Sequence, residues 1–498
     1  MMKSPASPPR FVSTLALLFV FGAVASAGEL LVGSATVDIT PPEPVALAGQ
    51  FSTRISTKAE TPIVAAALVI ETQEAGKQLD LAIMISCDLV AIRPSIQDKT
   101  RQKLAALVPG IDVRKLFLSA THTHTAPVTT ELEASPNLYD IPKEGVMQPP
   151  AYVEFLTDRL AEAAATAWKQ RQPGGVSWTL SHAVVGLNRR AVYADGHAQM
   201  YGKTGQSNFR NIEGGEDHAV ETLFFWDAAK KLRAVAINLA CPAQEVESRS
   251  SINADYWHEV REQLKAKLEL PELNVLGWCS AAGDQSPHRM YRKEAEERML
   301  KARGLTMLQE IGRRITTAVA DTVDIARADI RTDAPFSHTV ADLTLPPRKI
   351  IPREYEDSKK ILAEFSVIQN PDNRVRMMMD REKAVISRFE EGDKLPPYSM
   401  ELHVLRIGDI AIATNPFELY LDYGVQMKAR SVAEQTFLIQ LAGGSGKYLP
   451  TPKAIEGGSY SALPVSNAVG PEGGQVLVNE TVQAISALWP AKPQPGTK

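Results

Sequence analysis

Short apolar runs alternate with amphipathic helical stretches along most of the chain, and this alternation constrains the fold more than any other feature. Strands are expected at 64–71, 79–87, 115–120, 232–240, 273–279, 402–413 (with a turn at Ile407-Gly408-Asp409) and 436–442. Helices are expected at about 94–107, 151–170, 255–268 and 305–326. In the second of these Val153, Leu156, Leu160 and Ala164 share one face, and in the last Leu308, Ile311, Ile315 and Val319 form a stripe. Strand–helix alternation predicts an α/β fold, with mixed β-sheets flanked by helices in a single large unit. The segment 289–400 is charged and mostly helical, and reads as an elaboration on that core.

The N-terminus has its own pattern. Lys3 and Arg10 precede an apolar run from Phe11 to Ala25, followed by Ala25-Ser26-Ala27. This predicts a secretory signal peptide, residues 1–27, cut before Gly28. The run is about 15 residues, against the roughly 20 that a membrane helix needs. The expectation is a secreted or periplasmic protein with no transmembrane segment, a main unit at 28–490 and a frayed tail at 491–498. Removing Lys3 and Arg10 takes the net charge from −4 to −6. Nucleic acid is therefore not an expected partner, since it would call for a basic stripe. Cys87, Cys241 and Cys279 each end a strand-like run and read as buried thiols, with one disulfide pair as the alternative.

Chemically capable residues gather just after the strand ends. They lie in "THTHTAP" (121–127), "CPAQE" (241–245), "AAGDQSP" (281–287), "NPFELY" (415–420) and "GGSGKYLPT" (443–451). Loops at the carboxyl ends of strands are where α/β folds build sites. Five of them meeting at one edge would make a pocket, and that convergence is the argument for an enzyme. His122 and His124, two apart in an extended segment, should point the same way, as a metal ligand and a neighbouring acid or base. Ser286 sits in a Gly/Asp/Pro turn, either a presented nucleophile or ordinary turn chemistry. From local sequence alone, Asn415, Pro416 and Glu418 read as the cap of a following helix.

As a set these motifs resemble the catalytic domain of the neutral/alkaline, non-lysosomal ceramidases. The likeness starts at "VGSATVDITPPEPVALAGQ" (32–50) and continues through "LSATHTHTAP", "GLNRRAVY" (186–193) and "GDQSP" to "NPFELY" and "YLPTPKAIEGGSY". It implies an amidohydrolase acting on a lipid-like N-acyl substrate with one zinc ion, and peripheral membrane contact is compatible with it. The resemblance places His122, Glu418 and Tyr448 on the metal and His124, Arg189 and Tyr460 around the reacting carbonyl. Ser286 becomes nucleophile or positioning hydroxyl.

There are two departures. The family's remaining zinc-ligand histidine has no counterpart: "INLACPAQEVE" puts Pro242 in its place. Cys241, Gln244 and His258 are the replacements in reach, and Cys241 is the expected one, because zinc accepts thiolate readily. The sequence also leaves no room after Tyr460 for the family's C-terminal immunoglobulin-like domain. Two other readings follow from these departures: a ligand-binding member without turnover, or a metal hydrolase of an unrelated amide or ester.

Overall fold

In a computed structural model, described for residues 28–130 and 139–490, strand periodicity and burial lock together. The expected signal peptide and tail lie outside these residues. Val64–Glu74 is apolar almost throughout, because both of its faces are covered. Ala65, Ala67 and Val69 face one core, and Ala66, Leu68 and Ile70 face another. That period of two, with no polar side, is the mark of a strand buried between layers.

The layers number four. An eight-stranded sheet runs in the order Asn274–Cys279, Leu232–Leu239, Ala219–Asp227, Gln172–His182, Glu29–Asp38, Val64–Glu74, Lys77–Cys87, Leu116–Ala120. Its outermost pair at each edge is parallel, and the pairs between are antiparallel. The helices Pro94–Leu107 and Pro149–Lys169 cover one half of its outer face, and Tyr256–Leu268 and Met307–Ala320 cover the other. On the inner face Phe117, Phe225 and Trp278 meet Phe336, Ile412 and Phe437 of a second sheet. That sheet runs Phe336–Leu345, Tyr398–Ile407, Ile410–Thr414, Gln435–Ile439. Its far side packs on Leu421–Arg430 and Pro471–Ala487 through Ala411, Leu438, Leu477 and Val478.

Every expected strand and helix is present, with differences. The stretch 305–326 divides into Met307–Ala320 and Val323–Ala328. The strands Glu29–Asp38, Gln172–His182, Ala219–Asp227 and Phe336–Leu345 were not anticipated. The region 289–400 is less uniform than its charge suggested. Met307–Ala320 buries Ile311, Ile315 and Val319 in the core, and Phe336–Leu345 is an edge strand of the second sheet. Lys293–Arg303 buries no residue, and Pro352–Ser366 and Asn373–Glu391 form a helical hairpin with little burial of its own. The three cysteines are free and buried.

What positions the site is the meeting of strand ends. Ala120 N donates to Leu441 O, Ala243 N to Thr121 O, Ser280 N to Leu239 O and Gln440 N to Cys279 O. Ser86 Oγ reaches Gly277 O at 2.6 Å, linking strands near opposite edges of the large sheet. Loops from both sheets are therefore sewn together at the backbone level.

Candidate active site

His122 follows a buried strand and adopts φ 70°, a left-handed conformation unusual for a side-chain-bearing residue. The segment is thus not simply extended, yet the two imidazoles still meet, with Nε2 atoms 3.3 Å apart. His122 Nδ1 lies 2.5 Å from the Val90 carbonyl. A carbonyl only accepts, so Nδ1 carries the hydrogen and Nε2 of the neutral ring presents a lone pair. His124 is steered by backbone: Arg54 donates to the carbonyls of His124 and Ala48, tying the 32–50 motif to this loop.

Glu418 does not cap a helix. Asn415 Oδ1 accepts from Phe417 N, and the next helix starts at Leu421. Glu418 instead enters a two-residue parallel pairing with Tyr448, which puts the two side chains on the same face. Its Oε2 lies 3.5 Å from His122 Nε2. Burial pushes the Glu418 carboxyl up, but a His122 imidazole protonated at Nε2, Tyr448 and Arg189 together hold it below the usual carboxylate range, whereas a neutral His122 leaves only Tyr448 and Arg189 to oppose burial. Burial, then Glu418 and Tyr460, push the Tyr448 phenol well up. The rings of Tyr448 and Tyr460 are 6.0 Å apart.

Arg189 is 2 % exposed and sits across the pocket without a carboxylate at ion-pair distance among the described residues. It donates to Tyr201 Oη (2.8 Å), Gln244 Oε1 (3.2 Å) and Gly283 O (2.9 Å). The adjoining Arg190 points the other way. It pairs with buried Glu213 and donates to Ala454 O and Gly458 O, clamping the segment that carries Tyr460. Asp284 joins the remaining loops, accepting from Asn188 Nδ2 and Leu421 N, and burial raises it to about 6.

His122, His124, Arg189, Glu418, Tyr448 and Tyr460 thus line one cavity of about 490 Å³. Ser286 and Cys241 do not. Ser286 is fully buried one layer behind, its Oγ accepting from Tyr201 Oη at 3.2 Å and from His288 N at 3.1 Å. The expectation that Cys241 supplies the missing ligand is corrected. Its thiol lies in the apolar cluster under the helix Tyr256–Leu268, and burial followed by Cys279 drives its pKa well up. The backbone bond from Cys241 N to Leu239 O turns that side chain inward, away from the cavity. His258 stays on its helix, outside the lining. The residue that does arrive is Gln244, with Nε2 2.7 Å from His124 Nε2. Sequence reasoning missed Tyr201, Glu247, Arg381 and Lys447 in the lining: Glu247 and Lys447 lie in the loops 241–247 and 443–451 without having been singled out, and no local motif marks Tyr201 or Arg381.

The donor set bears on a metal. Gln244 Oε1 is held by Arg189, so its NH₂ faces His124 Nε2, which must accept. Two imidazole lone pairs and a carboxylate therefore converge, an electron-rich arrangement that a cation relieves. Among the described residues no group of three or more His, Cys, Asp or Glu is arranged to hold a metal ion, so such a cation depends on the Tyr448 phenol as well. Nitrogen and oxygen donors of this kind fit zinc.

This four-layer arrangement of two sheets with its cavity at the joined strand ends is the fold of the neutral ceramidases. The chain is similar to the crystal structure of neutral ceramidase from Pseudomonas aeruginosa, with a TM-score of 0.65 at 16% identity, covering 94% of this chain and 76% of that one. A ceramidase complexed with C2 matches equally, with a TM-score of 0.65 at 16% identity over 92% of this chain and 75% of that one. No protein-family model and no curated protein matches the sequence.

Proposed function

We propose that the protein is a zinc-dependent amidohydrolase that cleaves a linear amide in an N-acyl, ceramide-like substrate outside the cytoplasm. The observation that carries this reading is one cavity holding His122, His124, Arg189, Glu418, Tyr448 and Tyr460, in a fold shared with ceramidases over nearly the whole chain. His122, Glu418 and Tyr448 would hold the ion, which supplies a Lewis acid for the scissile carbonyl and acidifies a water. His124 Nε2, an acceptor in this arrangement, takes a proton as water adds to the carbonyl. The C–N bond then breaks, and the same proton passes to the leaving amine. Arg189 and the Tyr460 hydroxyl face the oxygen on which negative charge develops. Ser286 acts as a positioning hydroxyl, since it supports Tyr201, which in turn holds Arg189.

The test combines elemental analysis of the purified protein with a panel of N-acyl amides. Zinc near one equivalent and amide turnover are expected. A protein that takes up zinc, or none, and hydrolyses no amide overturns the enzyme reading in favour of a binder, for which Gln244 in place of a ligand histidine is the motive. Ser286→Ala is expected to lose about ten- to a hundredfold in rate with metal content unchanged. A loss of several orders of magnitude would make it the nucleophile. Export rests on residues 1–27, and N-terminal sequencing of the mature protein should read from Gly28. Among the described residues no helix is long and apolar enough to cross a membrane.

A further inference from the structure

Cations gather on one side of the cavity, and among the described residues none of them has a carboxylate at ion-pair distance. Arg381, from the helix Asn373–Glu391, and Lys447, just before Tyr448, line the same cavity as His122 and Glu418. Arg388, seven positions further along the same helix, joins both of them in lining an adjoining cavity. Arg381 Nη2 donates to Val465 O and Ser466 Oγ, Lys447 Nζ to Val465 O, and Arg388 Nη1 to Pro464 O and Asn467 O.

A purely structural role, as clamps on the 464–467 segment, accounts for these hydrogen bonds. It does not account for the charge. Carbonyl acceptors satisfy donors but neutralise nothing, and three like charges crowded against low-dielectric walls repel one another. No carboxylate among the described residues pairs with any of the three. Asp380 lines the adjoining cavity but is engaged by Lys383 at 3.0 Å, and Glu354 is engaged by Arg348. Glu418 is committed deeper down, to His122. Lys447 also adopts φ 60°, a conformation that glycine reaches more easily, right after a Gly-Ser-Gly run. The chain therefore keeps an ammonium at the rim where a glycine would fit the backbone better.

We propose that the substrate of this site carries a fixed negative charge close to its amide, a carboxylate or a phosphate, which Arg381 and Lys447 bind with Arg388 behind them. The inference rests on the amide-hydrolase reading above and specifies its substrate: an acidic N-acyl amphiphile in preference to a neutral one. Charge-assisted hydrogen bonds to planar guanidinium suit either anion.

Three amides with the same acyl chain separate the possibilities: an N-acyl amino alcohol, an N-acyl amino acid and the phosphate ester of the N-acyl amino alcohol. The acidic amides are expected to exceed the neutral one in kcat/KM by about tenfold or more, the scale of one charge-assisted contact. That ratio should collapse toward one in Arg381→Ala and in Lys447→Gly, mainly through KM, and should shrink in high salt. Which of the two acidic amides leads identifies the anion. Equal rates for neutral and acidic amides in wild type, or an equal loss on all three in Arg381→Ala, would overturn the proposal and leave a structural clamp. Loss of binding to phosphatidylglycerol vesicles, with soluble short-chain amides unaffected, would reassign the cations to membrane docking. If no amide is turned over, the functional reading fails separately. Calorimetric binding of N-acyl glycine to wild type but not to Arg381→Ala would still support the anion site, and binding to neither would sink it.

Discussion

Gln244 stands where its amide bridges Arg189 and His124, and at the scale of single residues this is the feature that most distinguishes the pocket. An amide there orders His124 but gives no second imidazole to a cation. Gln244→His adds a nitrogen donor directly beside His122 and His124. It is expected to tighten zinc about ten- to a hundredfold in chelator competition, the range over which such neighbouring groups tune metal sites. Unchanged or weakened affinity would show that Gln244 does not border the metal position. Cys241→Ser is the control, with stoichiometry and affinity expected to stay at wild-type values, because the thiol faces an apolar cluster. The three thiols lie too deep in the cores to titrate near neutral pH, with Cys279 raised to about 12 by burial.

Between elements, the close approach at Gly283 is the tightest constraint on the site. Gly283 N donates to Leu419 O at 2.7 Å, and a Cβ there would stand 2.3 Å from Glu418 O. Gly283→Ala must push the Glu418–Leu419 strand away, and Glu418 with it. A large fall in zinc affinity with a nearly native circular dichroism spectrum is expected, and unchanged metal binding would count against this geometry. The helix Met307–Ala320 offers a pH test away from the pocket. Its Glu310 is 1% exposed and accepts from Arg313, Arg314 and Arg303. Those bonds, Arg313 first and against burial, hold its carboxyl down at about 2 from an ordinary 4.5. A carboxyl depressed on folding stabilises the native state fully above its unfolded pKa, and that stability is lost as pH falls from about 4.5 toward 2. The arginines are partly solvated, which limits the effect, and Glu310→Gln is expected to cost about 1–2 kcal/mol at pH 7. In denaturant melts the difference from wild type should vanish near pH 2. A difference that persists there would show that packing, not charge, is responsible.

For the whole molecule, the shared core between the two sheets makes the layers one folding unit. Trp278 is fully buried at that junction, its ring centroid 6.4 Å from that of Phe437 in the opposite sheet. Trp278→Ala is expected to remove about 3–5 kcal/mol and to lower a single melting transition. Two separate transitions would mean that the sheets fold independently. The same unity explains why a surface hairpin reaches the pocket. Arg381 and Arg388 leave the helix Asn373–Glu391 and hold the 464–467 segment only a few residues beyond Tyr460.

Local periodicity was enough to locate the strands with apolar runs and the amphipathic helices, because burial on two faces or on one stripe leaves a direct mark on residue order. It was not enough for Gln172–His182 or Ala219–Asp227, where glycine, serine and charged residues interrupt the run and the strand exists by pairing with its neighbours. In the site, His122 and His124 were legible because both sit on one short loop. Glu418 was legible only through a resemblance, since its own neighbourhood reads as a helix cap. Its pairing with Tyr448 spans 30 residues and leaves no local trace. Which side chain of the 241–244 segment faces His124 was decided by the fold alone. Cys241 and Gln244 are three positions apart, and chemical preference favoured the thiol. A backbone turn at the end of a strand sends that thiol into the core and the amide into the cavity. Residue order determines which groups are available. Only the directions in which strand ends turn determine which of them face one another.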